Sequence, residues 1–310
     1  MSLREELALL NAAALIPDCD ILFLTLDTLR FDVARRGIAE GLTPFLQSLI
    51  PGGAWEERHS PGNFTYAAHQ AFFAGFLPTP SKPGTHSRLF AAQFAGSETT
   101  DANTCVFASA NIVSGLRERG YHTVCIGGVG FFNKQNALGM VLPELFCQSY
   151  WSTETGVTDP RSTENQVKIA LNILDGLTDK QRVFMFINIS ALHQPNCMYV
   201  QGAREDSPDT QLQALSYVDS QLPPLVAVMR KRAPVLCIIC SDHGTAYGED
   251  GFRGHRISHP VVWTVPYAEF VLERQGACFQ LRLLQLTRTC LLHTHICTKR
   301  LTEHLRRRVL

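Results

Sequence analysis

The chain has 310 residues, and its 28 basic side chains balance its 28 acidic ones. This neutral charge argues against a nucleic-acid-binding protein, which carries a basic excess. Apolar residues at 45% and charged residues at 18% are typical of a globular protein, not of a disordered or fibrous one. No apolar run reaches the roughly 18 residues of a membrane span. The scattered cysteines are interpreted as free thiols, so we expect a cytoplasmic protein.

Strand and helix patterns alternate along the chain. Short apolar runs predict strands buried on both faces, and segments with helical periodicity separate them. In chain order, the predicted elements are a strand at 20–26, helices at 42–50, 67–76 and 112–119, a strand at 123–126, a helix at 166–174, a strand at 183–189, a helical segment at 209–230 interrupted by Pro223-Pro224, and a strand at 235–240. Repeated strand–helix units indicate an α/β fold, a three-layer α/β/α sandwich with a mostly parallel central sheet.

The last forty residues differ in composition from the rest. Residues 271–310 hold eight basic and two acidic side chains, which leaves 20 basic and 26 acidic side chains before them. We therefore expect a folded domain over residues 1–272 and a basic, helical tail over 273–310 that contacts a protein partner or another subunit. Cys290, His293 and Cys297 would share one face of such a helix, and a zinc site there is the less favoured alternative.

Polar side chains capable of chemistry follow the predicted strands. These residues are Asp27, His193, Asp242, His243, His255 and His259. In a parallel sheet the active site lies beyond the carboxyl ends of the strands, so we expect these groups at one edge. Carboxylate and imidazole groups together suit a divalent cation such as Mg, Mn, Ca or Zn.

Six segments in this order and spacing match a known pattern. They are the strand ending at Asp27-Thr28, the helix opened by Thr65 and closed by Gly75-Phe-Leu-Pro78, the helix–strand unit 116–127, His193-Gln194-Pro195, the helix around Tyr217 and Asp219, and Ser241-Asp242-His243-Gly244 with His255 and Pro266 downstream. Together they resemble the sulfatase-like branch of the alkaline phosphatase superfamily over roughly residues 20–272. The resemblance implies an alkaline phosphatase-like fold, with residues 1–272 as the catalytic domain, and ester chemistry on phosphorus or sulfur.

The resemblance also implies a role for each matched residue. Thr65 stands at the nucleophile position, and the implied metal ligands are Asp27, Thr65, Asp242 and His243. They imply one divalent ion, Mn, Mg, Ca or Zn, and leave a second ion open. His193 and His255 match positions that contact the transferred group or protonate the leaving oxygen. His69, which replaces an Arg common in sulfatases, and His259 are predicted to bind substrate.

Departures from the pattern bear on the substrate. Sulfatases need a Cys or Ser that becomes formylglycine, and Thr65 cannot follow that route. Their Gly-Lys-Trp-His is replaced here by Gly127-Gly128-Val129-Gly130, which lacks the Lys and the His. We therefore predict a Thr-nucleophile, metal-dependent hydrolase or phospho-group transferase acting on small-molecule phosphate mono- or diesters. A sulfatase and a non-catalytic scaffold are the alternatives.

Simpler interpretations exist for several of these residues. Asp27 could cap the turn after its strand, and Thr65 could be a helix N-cap. His69 could be a histidine on a helix surface. For a second metal ion, histidines are at hand, but Asn188 and Ser190 stand where an acid would help. The sequence therefore favours one metal ion over two.

Overall fold

The computed structural model describes residues 12–75, 88–91, 104–106 and 111–276. Almost all of the predicted basic tail therefore lies outside the described residues. Within the described ranges, none of the helices combines the length and apolar character that crossing a membrane requires.

The described segments contain eleven strands and ten α-helices. The strands are β1 Asp20–Leu26, β2 Glu56–His59, β3 Arg88–Ala91, β4 Thr104–Val106, β5 His122–Ile126, β6 Gln148–Tyr150, β7 Val183–Ile189, β8 Val235–Cys240, β9 Ala246–Tyr247, β10 Arg253–Gly254 and β11 Thr264–Leu272. The helices are α1 Ala12–Leu15, α2 Phe31–Ala39, α3 Pro44–Leu49, α4 Thr65–Ala74, α5 Ile112–Glu118, α6 Ala137–Val141, α7 Ser162–Asp175, α8 Pro208–Gln221, α9 Pro223–Arg232 and α10 Pro260–Trp263.

Seven strands form the main sheet, in the order β2-β11-β8-β1-β7-β5-β6. Strand β1 lies parallel to both β7 and β8, and β5 lies parallel to both β7 and β6. Strand β11 is antiparallel to its neighbours β8 and β2. Two small two-stranded sheets, β3–β4 and β9–β10, complete the described strands. The predicted α/β fold with a mostly parallel central sheet is confirmed.

Apolar side chains cover both faces of this sheet. Along β1, Leu22, Leu24 and Leu26 belong to the core that packs against α2, α3, α7, α8 and α9. Ile21 and Phe23 belong to a second core, which packs against α4 and α5. This alternation follows from the two-residue period of a strand. Burying each such side chain contributes about 1.5–3 kcal/mol. The sheet is therefore the middle layer of three, as predicted.

The sequence and the structure differ at several element ends. Helix α4 begins at Thr65, two residues before the predicted start. The predicted helical segment 209–230 is two helices, α8 and α9, which meet at the Pro223-Pro224 interruption. Helix α2, the edge strand β2 and its neighbour β11 were not predicted. All four residues of β2 are exposed, so their side chains carry no burial pattern that would predict a strand.

Candidate metal and nucleophile site

Three ligand-type side chains meet at the carboxyl edge of the sheet. Asp27 directly follows β1, and Asp242 and His243 follow β8, the strand paired with β1. One ligand atom from each of the three lies within 4.8 Å of the others, and all three residues are buried. The parallel pairing of β1 and β8 brings these distant parts of the sequence together.

Thr65 lies beside this cluster. Its Oγ1 is 3.5 Å from Oδ2 of Asp27 and 3.3 Å from Nε2 of His243. Thr65 is the first residue of α4, and the N-cap position is held by Phe64. The Thr65 hydroxyl is therefore not used as a helix cap, and it points toward the residues that the resemblance pairs it with. The N-terminal amides of α4 favour an anionic group at this end of the helix.

The two carboxylates are incompletely satisfied by the protein. Asp242 Oδ1 accepts hydrogen bonds from the backbone amides of Thr28 and His243, at 3.2 and 3.0 Å. Oδ1 of Asp27 and Oδ2 of Asp242 are buried without a hydrogen-bond partner. Burial raises the pKa of Asp27 to about 6, with the nearby charge of Asp242 adding to the shift. Burial likewise raises the pKa of Asp242 to about 7.

A divalent cation fits this donor set. Two buried carboxylate oxygens without partners and one imidazole nitrogen are hard or borderline ligands, which suit Zn, Mn or Mg. A cation there would neutralise the charge that burial disfavours. Asp27, Asp242 and His243 are therefore the residues that would hold it, with Thr65 close enough to join them.

The ring of His243 is in the tautomer that a metal ligand needs. Its Nδ1 lies 2.8 Å from the carbonyl oxygen of Gly244, so Nδ1 carries a proton and donates it. The neutral ring then leaves Nε2 unprotonated, and this is the nitrogen that faces Thr65. Burial lowers the pKa of His243, which favours the neutral ring.

His193 and His255 extend the cluster. The ring of His255 lies 4.7 Å from that of His243 and 5.6 Å from that of His193. Nδ1 of His255 is buried without a partner, and burial lowers the pKa of this side chain to about 3. His193 uses Nδ1 to contact the Gln194 carbonyl oxygen at 2.6 Å, which leaves Nε2 for other contacts. The structure thus brings both predicted catalytic histidines beside the metal-type cluster.

The two predicted substrate-binding histidines are engaged by the protein itself. His69 is fully buried, with Nδ1 2.7 Å from the Thr65 carbonyl oxygen and Nε2 3.0 Å from Thr25 Oγ1. His259 caps α10: Nδ1 accepts from the amide of Val261, and Nε2 lies 3.1 Å from Asp250 Oδ2. Their roles in substrate binding stay predictions. The contacts place His69 behind Thr65 and not in an open cleft.

Asn188 belongs to the site although the sequence offered no role for it. Its Nδ2 donates to Oδ2 of Asp27 at 2.9 Å, and its Oδ1 accepts from the amide of Val129 at 3.1 Å. A Cβ on Gly128 would lie 2.4 Å from the Asn188 carbonyl oxygen. The loop where sulfatases carry Lys therefore has no room for that side chain and serves to hold Asn188. The available sequence signal was a buried amide in the otherwise apolar strand β7.

Comparison with known proteins places the fold. No protein-family model matches the chain, and no curated protein matches it. Among solved structures, the C-terminal periplasmic domain of phosphoethanolamine transferase EptC from Campylobacter jejuni is 14% identical, with a TM-score of 0.55 over 82% of this chain and 79% of that one. The C-terminal periplasmic domain of EcEptC from Escherichia coli, in complex with Zn, is 11% identical, with a TM-score of 0.57 over 84% of this chain and 74% of that one.

A third structure carries the superfamily name. A protein in the alkaline phosphatase superfamily from Vibrio parahaemolyticus is 18% identical, with a TM-score of 0.51 over 83% of this chain and 60% of that one. The chain therefore has the alkaline phosphatase superfamily fold. Within that fold, the similar structures include domains of phosphoethanolamine transferases, enzymes that transfer a phosphoester group.

These comparisons correct one expectation. The prediction of a cytoplasmic protein is wrong, because the similar EptC structures are periplasmic domains. The prediction relied on cysteine usage, and a free thiol does not by itself report the compartment.

Proposed function

We propose that this chain is a metal-dependent enzyme that transfers or hydrolyses phosphate esters, with Thr65 as its nucleophile. One observation carries the proposal: the Thr65 hydroxyl lies 3.5 Å from Asp27 and 3.3 Å from His243, beside two buried carboxylate oxygens that lack a partner. A hydroxyl is a weak nucleophile unless its pKa is lowered, and this surrounding suits a cation that lowers it. The fold shared with phosphoester transferases supports the same reaction class.

In this proposal Asp27, Asp242 and His243 hold one divalent cation next to Thr65. When bound, the cation supplies Lewis-acid charge, which lowers the pKa of the Thr65 hydroxyl and stabilises negative charge on the phosphoryl oxygens. The protein's own part is to hold three ligands of fixed geometry in a buried setting. It also presents the N-terminal amides of α4 to the phosphoryl group.

The transfer proceeds in two displacements. Thr65 Oγ1 gives up its proton to solvent and bonds to phosphorus as the bond from phosphorus to the leaving alcohol breaks. His193 gives a proton to the leaving oxygen, because the lowered pKa of His255 keeps that ring neutral. This forms a phosphothreonine. Water or an acceptor alcohol then attacks the same phosphorus, and the bond to Thr65 Oγ1 breaks. The same imidazole takes the proton of the incoming hydroxyl, and Thr65 Oγ1 takes up a proton from solvent. Water gives hydrolysis, and an alcohol gives group transfer.

Phosphorus is favoured over sulfur by residues at two places. Thr65 cannot be converted to formylglycine, which sulfate monoester hydrolysis in this superfamily uses. The loop at Gly127–Gly130 offers no cationic side chain for sulfate. We therefore propose a small-molecule phosphate mono- or diester as substrate.

The test is turnover of p-nitrophenyl phosphate, bis-p-nitrophenyl phosphate and p-nitrophenyl sulfate, each with added Mn, Mg, Ca or Zn. We expect metal-dependent release of p-nitrophenol from a phosphate ester, and loss of that release in Thr65→Ala. Thr65→Ser keeps a hydroxyl and is expected to retain measurable turnover. Trapping of a phosphorylated Thr65 by acid quench and mass spectrometry would identify the nucleophile directly.

Thr163 provides a matched control for this variant. It also lies in the first turn of a helix, is fully buried, and has a hydroxyl without a hydrogen-bond partner. Thr163→Ala should keep wild-type turnover if the loss in Thr65→Ala reports chemistry and not folding. Absence of turnover with every metal, together with no metal bound in equilibrium dialysis, would replace the enzyme with the non-catalytic alternative.

A further inference from the structure

A set of buried polar side chains lies behind the candidate site. Thr25, His69 and Asn188 are each 0% exposed and come from β1, α4 and β7. Thr25 and Asn188 are partners in the β1–β7 register, so their side chains lie next to each other. We name these three residues the Asn188–Thr25–His69 network.

The hydrogen bonds of the network have one consistent direction. The Val129 amide donates to Oδ1 of Asn188, which fixes Nδ2 as the atom on the other side. The two protons of Nδ2 then go to Asp27 Oδ2 at 2.9 Å and to Thr25 Oγ1 at 3.3 Å. The orientation of the amide therefore follows from its partners and not from its shape.

The direction continues through Thr25 to the nucleophile helix. Having accepted from Asn188, the Thr25 hydroxyl donates its own proton to Nε2 of His69, 3.0 Å away. His69 Nδ1 then donates to the Thr65 carbonyl oxygen at 2.7 Å. A proton on Nε2 in place of Nδ1 would set the Nδ1 lone pair against that carbonyl oxygen. The network thus requires a neutral His69 with its proton on Nδ1.

The polar side-chain atoms of the network all have hydrogen-bond partners, unlike those of the metal-type cluster. None of its side-chain atoms is among the buried polar atoms without a partner, whereas Asp27 Oδ1 and Asp242 Oδ2 both are. It touches the site at the Oδ2 atom of Asp27 and at the backbone of Thr65, and Nδ1 of His69 also lies 3.7 Å from Oδ2 of Asp242. Fully satisfied buried networks are rigid, since any displacement leaves a donor or acceptor unpaired.

We propose that the Asn188–Thr25–His69 network positions the nucleophile against the metal-binding carboxylate. Asn188 fixes Asp27 through a hydrogen bond to its Oδ2 atom, and His69 fixes Thr65 through a hydrogen bond to its carbonyl oxygen. The hydroxyl of Thr25 connects Asn188 to His69. Asn188 and His69 are positioning residues in this assignment, so His69 acts behind Thr65 and not on the substrate. The assignment rests on the proposed function, because it supposes that Thr65 and Asp27 act together.

Substitution of Thr25 tests the link. Thr25→Val keeps the shape of the side chain and removes the hydroxyl, so Asn188 and His69 are no longer connected by hydrogen bonds. We expect kcat for the phosphate ester to fall about 10- to 100-fold, the range for a small misplacement of reacting groups, with KM and metal affinity close to wild type. Thr25→Ser restores the hydroxyl and should recover kcat. Thr43→Val is the control, because Thr43 is also fully buried and its hydroxyl has no partner.

Substitution of Asn188 tests the other end and has a readout besides activity. Asn188→Ala removes the donor to Asp27 and should weaken Zn or Mn binding about 10- to 100-fold in calorimetry, the usual effect of losing a group that orients a ligand. Wild-type kcat in a folded Thr25→Val, or an equal loss in Thr25→Val and Thr25→Ser, would overturn the positioning role. Unchanged metal affinity in Asn188→Ala would refute the proposal that Asn188 orients Asp27 as a metal ligand.

The imidazole tautomer provides a measurement that does not depend on turnover. In ¹⁵N-labelled protein without metal, His69 should carry its proton on Nδ1, and the Nε2 resonance should shift in Thr25→Val and not in Thr43→Val. A proton on Nε2 in the wild type, or no shift in Thr25→Val, would refute the network. An inactive wild type with the expected tautomer would refute the proposed function and keep the network, so the two failures are distinguishable.

Discussion

Strand β1 has a buried carboxylate at each end, and the two are treated differently by the protein. Asp20, at the start of the strand, is fully buried and lies 3.2 Å from Arg182 and 3.3 Å from Arg232. It also accepts from the amide of Val183 at 3.0 Å. Asp27, just past the other end, is equally buried, but its partners are the neutral groups of Asn188 and Thr65.

The difference indicates a structural role for the charge of Asp20 and supports our proposal of a functional role for that of Asp27. Removing a carboxylate from water costs several kcal/mol, and at Asp20 two arginines offset part of this cost, although burial still leaves the pKa of Asp20 raised. At the other end the nearest charged carboxyl is Asp242, which raises the pKa of Asp27 further. Among the described residues, no lysine or arginine pairs with Asp27 or Asp242, so these two buried acids form the site that, in our proposal, an external divalent cation completes. This contrast is the physical basis for the metal assignment.

The largest expected effect is on catalysis at the carboxyl edge. Asp242→Asn removes one of the two uncompensated charges. We expect kcat to fall by at least about 10²- to 10³-fold, the range for losing one preorganised electrostatic contact to the transition state. Metal binding should weaken as well, while the metal-free protein should be no less stable than wild type. Steady-state kinetics, calorimetry and urea unfolding together check these three outcomes. A marked loss of stability without loss of metal binding would break the contrast.

The matching change at the amino-terminal end of β1 should reduce stability and leave catalysis unchanged. Asp20→Asn leaves Arg182 and Arg232 without their carboxylate. We expect the free energy of unfolding to fall by about 3–5 kcal/mol, as when one partner of a buried ion pair is removed. The kcat of the folded fraction should stay near wild type, because Asp20 lies at the opposite end of β1. Urea unfolding and kinetics at low temperature measure both. A stable but inactive Asp20→Asn would contradict the assignment.

Gly128 sharpens the contrast at the carboxyl edge. A Cβ there would lie 2.4 Å from the Asn188 carbonyl oxygen and 2.6 Å from Cβ of Ser190. Gly128→Ala should therefore destabilise the protein by about 1–3 kcal/mol through overpacking. Gly130 is the matched control, because a Cβ there would meet nothing within 4 Å. Thermal unfolding of the two variants is the measurement, and equal stability of the two would contradict the close packing of this loop on Asn188.

The smallest expected effect is the change in the stability of the metal-free protein with pH. The folded pKa values of Asp27 and Asp242, about 6 and about 7, lie above the ordinary carboxyl value of about 3.9. The folded state then binds more protons than the unfolded state, so the metal-free protein loses stability as pH rises from about 4 to about 7. The slope is at most about 1.4 kcal/mol per pH unit for each group.

Metal and mutation should both change this slope. A cation replaces the protons, so metal affinity should increase with pH across the same range. Asp242→Asn removes one titrating group and should flatten the profile. Unfolding free energies from pH 4 to 8, with and without Zn, check the sign. A metal-free protein that gains stability over this range would contradict the uncompensated pair.

The sequence by itself determined much of the sheet and the candidate ligands. Strands β1, β7 and β8 have the predicted bounds, because a continuous apolar run is what a strand buried on both faces requires. Polar residues just past such strands must lie at one edge, which is why Asp27, Asp242 and His243 could be named together. Their actual proximity agrees with that reasoning. The roles of His69, His193, His255 and His259 stay predictions.

Only the tertiary structure decided the sheet edges and the support behind Thr65. Strand β2 exists because β11 pairs with it, and its exposed polar residues hold no local signal of that pairing. The role of Asn188 depends on its register with Thr25 across β1 and β7, and on a glycine loop with no room for a side chain. A pattern in one segment reports what that segment buries. A hydrogen bond between distant segments depends on where the fold places both partners.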